Sequence, residues 1–136
     1  MNSQQPVIVY VEDDEPSIRV MKMIVERVMN LETIHILQSS PNFLQQVKTL
    51  GATPDLILMD IQMRPHDGFE LLSMLRHDAQ FRRSKVVALT ASVMNEQVMR
   101  LKNSGFDGAI AKPLNIHEFP NLVARIIRGE SVWHIA

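Results

Sequence analysis

The stretch Pro54-Asp55-Leu56-Ile57-Leu58-Met59-Asp60 decides the fold. A proline leads into an unbroken apolar run, and a carboxylate ends it. A run bounded by a breaker and an acid reads as a strand of a parallel sheet, buried on both faces. Its last residue, Asp60, then emerges at the carboxyl edge of the sheet. In open α/β folds that edge is where ligands and chemistry gather.

Working outward, the same pattern repeats. Val7–Val11 is a β-branched and aromatic run, hence a buried strand. Four acids follow, Glu12 to Glu15. Pro16-Ser17 open a helix, because proline suits the first helical turn. That helix runs to about Met29, with Ile18, Met21, Val25 and Met29 on one stripe. Thr33–Leu37 is the second strand. Ser39-Ser40-Pro41 starts a helix carrying Phe43, Leu44 and Val47, which stops at Gly51. Leu56–Asp60 is the third strand. Arg64 to Gly68 form a loop by composition, and Phe69, Leu71, Leu72 and Leu75 lie on the third helix. Val86–Leu89, ending in Thr90, is the fourth strand. Met94, Val98 and Leu101 mark a helix closed by Asn103-Ser104-Gly105. Ala109–Ala111 is the fifth strand, ending at Lys112-Pro113. Ile116, Phe119, Leu122, Val123 and Ile126 mark the last helix, stopped near Gly129.

Five strands alternating with five helices predict a single α/β domain spanning residues 1–136, with its core at about 6–129 and a short tail, 130–136, holding Trp133. Right-handed crossovers leave few topologies. The natural choice is a doubly wound, flavodoxin-like five-stranded parallel sheet, order 2-1-3-4-5, with helices on both faces.

Composition excludes several functions. The chain of 136 residues lacks cysteine, which removes disulfides, thiolate catalysis and zinc–thiolate sites. Its net charge of −1 gives no general attraction to nucleic acid or anionic membrane. Met1 to Pro6 is polar, unlike a signal peptide. No apolar run approaches the ~20 residues of a membrane span. A cytoplasmic location without membrane insertion is therefore expected. The five histidines are scattered without ligand spacing, and nothing resembles a DNA-reading helix-turn-helix.

The residues just past the strands form a set. Strand one supplies Asp13 and Asp14, strand three Asp60, strand four Thr90 and strand five Lys112. Any one of them alone reads as a loop acid or a helix cap. Together they place carboxylates, a hydroxyl and an ammonium at one sheet edge. Clustered carboxylates repel unless a cation joins them, and hard oxygen donors suit Mg²⁺, which leaves room for phosphate oxygens. An aspartate can then act as a nucleophile toward phosphorus.

This set resembles the receiver (phosphoacceptor) domain of two-component response regulators, of the stand-alone type, over essentially the whole chain. The matching residues are Asp13-Asp14-Glu15-Pro16, Asp60-Ile61-Gln62-Met63 with Asp67-Gly68, Thr90-Ala91, and Gly108 with Lys112-Pro113. Thr90 follows Asp60 by 30 residues and Lys112 follows it by 52, as in the family. The resemblance implies that Asp60 accepts a phosphoryl group from a sensor histidine kinase or a histidine phosphotransfer protein. It implies that Asp13, Asp14, Asp60 and the Gln62 backbone carbonyl hold Mg²⁺, and that Thr90 and Lys112 bind the phosphate. The acid pair is read as Asp13-Asp14 from the five-residue gap to Arg19; Glu12-Asp13 is the other reading. A downstream protein target is implied, and a homodimer through the last two helices and strand five is possible by the same resemblance.

Two departures stand out. Pro65 falls one place later than the family's Met-Pro. Ala109 occupies the position, three before the lysine, where the family carries Tyr or Phe. An alanine cannot act as a swinging ring, which leaves a phosphorylation switch and a phosphorelay carrier both open. A dehalogenase-type phosphatase would need an Asp where Gln62 stands. A flavin-phosphate binder would need a phosphate-cradling loop where four acids stand. On the first helix, Val20, Met23 and Ile24 widen the apolar face, as a buried face or a docking surface.

Overall fold

The computed structural model describes residues 6–30 and 34–135. The readings made for Met1 to Gln5, and for the start of strand two at Thr33, lie outside the described residues. Six strands and five helices follow one another: β1 (Ile8–Val11), α1 (Glu15–Met23), β2 (His35–Leu37), α2 (Phe43–Lys48), β3 (Leu56–Asp60), α3 (Gly68–Arg76), β4 (Lys85–Thr90), α4 (Asn95–Ser104), β5 (Gly108–Ala111), α5 (Phe119–Ile127) and β6 (Val132–His134). A π-helical turn, Ile24–Val28, continues α1, so the first helical segment runs almost to the expected Met29.

All strands are parallel, in the order β2-β1-β3-β4-β5-β6. The flavodoxin-like doubly wound arrangement and the 2-1-3-4-5 order stand as expected. The count of five strands is corrected to six. The tail after Gly129 is an edge strand, with Gly108, Ala109 and Ile110 facing Val132, Trp133 and His134 in register. Three residues are too few to show a strand period, so the tail looks structureless in sequence.

Alternation divides the sheet residues between two cores. Val9, Val11, Ile57, Met59, Val86, Ala88 and Ala109 pack under α2, α3 and α4 with Phe43, Leu71, Leu75 and Leu101. Ile8, Tyr10, Leu56, Leu58, Val87, Leu89 and Ile110 pack under α1 and α5 with Ile18, Met21, Phe119 and Ile126. Because both faces are covered, the central strands read as continuous apolar runs. Of the shoulder on α1, Ile24 is buried while Val20 is exposed.

The start of α3 lies against the end of β3. Asp67 caps the helix by accepting from the Glu70 N–H at 3.0 Å, and Glu70 accepts in return from the Asp67 N–H at 3.2 Å. A Cβ at Gly68 would meet the Asp60 carbonyl oxygen at 2.9 Å, so glycine permits this close approach. The Asp67-Gly68 pair thereby braces the backbone that carries Asp60.

The β6 strand fills the edge of β5. Val132 is buried, and Trp133 packs against the α2–α4 core with its Nε1 donating to Ser131 Oγ at 3.0 Å. The His134 Nε2 lies 2.7 Å from Glu118 Oε2. The outer edge of β5 is thus taken by β6. A Cβ at Gly108 would stand 2.3 Å from the Val132 carbonyl oxygen. Gly108→Ala is expected to push β6 off the sheet and to lower stability by about 2–3 kcal/mol, from overpacking and lost burial of Val132. A urea titration followed through the emission of the single tryptophan checks this; an unchanged midpoint and unshifted emission would contradict it.

Candidate functional site

Parallel strands deliver their last residues to one edge. Asp60 closes β3 with its side chain nearly buried, and Lys112 leaves β5 one residue past its end. The lysine backbone is tied to β4 through its N–H, which donates to the Thr90 carbonyl at 2.8 Å. Its ammonium reaches across the edge and sits 3.0 Å from Asp60 Oδ1 and 3.0 Å from Glu12 Oε1.

Glu12 belongs to the alternative acid pair, Glu12-Asp13. Its N–H donates to the Leu37 carbonyl at 3.1 Å, so it continues the β1 ladder by one residue. It is 1% exposed, unusual for a glutamate. Its Oε1 accepts from Tyr10 Oη at 3.1 Å as well as from Lys112, and its Oε2 accepts from the Asp14 N–H at 3.3 Å. Oxygens from Glu12, Asp13 and Asp60 lie within 4.8 Å of one another.

Asp14 has a different place. It caps α1, with Oδ2 accepting from the Ser17 N–H at 3.1 Å and from the Ser17 hydroxyl at 2.6 Å. Of the two acid pairs, the structure therefore sets Glu12-Asp13 beside Asp60 and turns Asp14 into the helix cap. The signal was present in sequence: an acid three residues before a helical serine, with Pro16 between them marking the first turn. Gln62 lies exposed in the loop after β3. Thr90 is buried at the end of β4, and its hydroxyl donates to the Ser92 carbonyl while accepting from the Ser92 N–H, both at 3.1 Å.

The electrostatics follow from three carboxylates around one ammonium. Burial pushes the Glu12 carboxyl above the usual range, and Asp60 beside it pushes the same way against the pull of Lys112. Burial alone would lower the Lys112 ammonium, but hydrogen bonds to Asp60 and Glu12 hold it above its ordinary value. Burial also raises the Tyr10 phenol, as does the charge of Glu12, so it remains a donor. Hydrogen bonds from Ser17 hold exposed Asp14 below the usual carboxylate range.

These donors are hard oxygens, one exposed carboxylate beside two buried ones, and they outnumber the local positive charge. That donor set fits a divalent cation of the Mg²⁺ type, which takes few carboxylates and keeps waters.

Fold and edge together define an α/β protein with an acidic site at the carboxyl ends of its central strands. The sequence profile of the response regulator receiver domain matches residues 8–124, and the chain belongs to that family, a signalling family of two-component systems. It is similar to the polar-differentiation response regulator DivK of Brucella anthropi, with 31% identity over 82% of this chain and 88% of that one. A two-component response regulator from Legionella pneumophila superposes with a TM-score of 0.77 at 27% identity, covering 93% of this chain and all of that one (100%). The receiver domain of a sensor histidine kinase from Pseudomonas aeruginosa, whose structure has a magnesium ion in the active site cleft, superposes with a TM-score of 0.77 at 23% identity, over 93% and 100% of the two chains. Among the described residues no helix is long and apolar enough to cross a membrane.

Proposed function

We propose that this receiver domain is a Mg²⁺-dependent phosphoryl acceptor. Asp60 takes the phosphoryl group from a phosphohistidine on a sensor histidine kinase or a histidine phosphotransfer protein. The observation that carries this reading is the convergence of Glu12, Asp13 and Asp60 within 4.8 Å, with Lys112 at 3.0 Å from Asp60.

Glu12, Asp13, Asp60 and the Gln62 carbonyl would hold the metal; Asp14 is left out because its side chain is committed to Ser17. When bound, Mg²⁺ supplies charge neutralisation for an approaching anionic phosphoryl group. An Asp60 carboxylate oxygen forms the new O–P bond. The P–N bond to the donor histidine breaks, and the imidazole leaves with its electron pair and takes up a proton. Lys112 neutralises the charge gathering on Asp60 and on the phosphoryl oxygens. The Thr90 hydroxyl exchanges its bond with Ser92 for one to a phosphoryl oxygen. Hydrolysis of the acyl phosphate then resets the site, with no turnover of a diffusible substrate. The output is contact with a downstream protein.

The second reading, a phosphorelay carrier, is favoured by one observation. Ala109 is fully buried and β6 covers its strand, so β5 carries no ring to move with the phosphoryl state. A carrier would return its phosphoryl group to a histidine phosphotransfer protein; a switch would bind a target only when phosphorylated.

The experiment is incubation with Mg²⁺ and acetyl phosphate, followed by intact mass and mapping of the modified peptide. One added phosphoryl group on the peptide containing Asp60, not formed when a chelator is present from the start, is the expected result. No adduct, or one located elsewhere, would remove the proposal.

A further inference from the structure

Tyr10 is the chain's only tyrosine, and it lies in β1 with 1% of its surface exposed. A buried tyrosine hydroxyl needs a partner, and any acceptor nearby would satisfy it. Here the partner is Glu12 Oε1, at 3.1 Å, the same atom that accepts from Lys112 at 3.0 Å. The other oxygen of Glu12 accepts from the Asp14 N–H. Three donors thus hold the Glu12 carboxylate from both ends, and only Tyr10 approaches from the core beneath the site.

We propose that Tyr10 is a positioning residue for the phosphoacceptor site: its hydroxyl fixes the orientation in which Glu12 meets Lys112, Asp13 and Asp60, and so strengthens divalent cation binding. The inference rests on the reading of this edge as a Mg²⁺ site. The physical ground is that groups behind a metal ligand orient it, and their loss weakens metal binding even though they never touch the ion. The donor is a fitting one. Its phenol is held neutral by burial, so it does not add charge to an acidic site. Strand pleat sets its aim, because Tyr10 and Glu12 are two residues apart and leave β1 on the same face.

Isothermal titration with Mg²⁺ tests this on the full chain, in wild type, Tyr10→Phe, Glu12→Gln and the double variant. Tyr10→Phe keeps the ring in the core and removes only the hydroxyl. It is expected to weaken Mg²⁺ binding roughly tenfold. In the Glu12→Gln background the same substitution is expected to add almost nothing, because the anionic carboxylate whose orientation matters to the cation is gone. Labelling the tyrosine with ¹³C at the hydroxyl-bearing ring carbon gives a single signal, expected to shift on Mg²⁺ addition in wild type. Equal Mg²⁺ affinity of wild type and Tyr10→Phe overturns the inference, as does an equal weakening in the Glu12→Gln background, which would mark a packing effect. A wild type that binds no Mg²⁺ overturns the metal reading itself, a result distinct from either of those.

Discussion

Asp60→Asn is expected to take up no phosphoryl group from Mg²⁺ and acetyl phosphate, and yet to be at least as stable as wild type without the metal. The first half follows from chemistry: an amide oxygen is a far weaker nucleophile than a carboxylate, and Glu12, the other carboxylate at 3.0 Å from Lys112, is buried at 1% exposure. The second half follows from distances. Asp60 faces an ammonium at 3.0 Å, but it also faces carboxylates of Glu12 and Asp13 within 4.8 Å. With Coulomb energy falling as inverse distance, two like charges at that range outweigh the single opposite one. Asparagine removes the repulsion and keeps the shape. Thermal melts with and without Mg²⁺ check it: Mg²⁺ raises the wild-type midpoint by mass action, and the rise shrinks in the variant. An adduct that persists in Asp60→Asn, or a variant much less stable than wild type in chelator, would refute this account of the site.

Lys112→Ala is expected to slow phosphoryl uptake by about two orders of magnitude, the usual scale for losing one preorganised charge stabiliser. It leaves Glu12, buried at 1% exposure, with no cation at hydrogen-bonding distance. Breaking such a pair costs several kcal/mol when both partners are buried. Lys112 keeps about a quarter of its side-chain surface in solvent, so the cost is discounted to about 2 kcal/mol. The pH dependence has a definite sign. Glu12 already titrates above its unfolded value of 4.5, and removing Lys112 raises it further. A raised carboxyl contributes stability that is complete below its unfolded pKa and is lost as pH rises through the folded value. The gap between wild type and Lys112→Ala is therefore expected to be small near pH 4 and full at neutral pH. Urea titrations at the two pH values measure it. A gap that widens toward acid would mean that Glu12 is not the group left unpaired. Mg²⁺ is expected to recover part of the lost stability, because it supplies positive charge to the same carboxylates.

How much of this was legible beforehand differs from residue to residue. Asp60 was legible because β3 is buried on both faces and ends abruptly in an acid. Lys112 was legible for the same reason at β5. Asp13 stands in both acid pairs that the sequence offered, and the geometry sets Glu12 rather than Asp14 beside it and Asp60. A strand buried on both faces lacks the polar alternation that would mark where it ends, so among four consecutive acids after Val11 the only local sign came from the helix side, in the cap spacing of Asp14 to Ser17. The tertiary contact that decides it is the Glu12 N–H bond to Leu37 on β2. Thr90 was placed at the correct strand end, while its hydroxyl bond to Ser92 depends on a local turn that strand-end reasoning does not resolve. The tail was missed as a strand because β6 exists only against β5, in the space that Gly108 leaves open.

The sequence by itself determined the order of the first five strands, the two-faced core and the two residues, Asp60 and Lys112, that meet at the carboxyl edge of the sheet. It could do so because apolar runs and their polar ends are local properties, and parallel strands bring those ends to one edge without further instruction. Only the tertiary structure decided which acids stand together, which atom Tyr10 serves and what covers β5. Those are choices of hydrogen-bond partner between residues as far apart as Glu12 and Lys112, 100 positions in the chain. A side chain's partner is set by the geometry of packed strands, and no pattern of neighbouring residues encodes it.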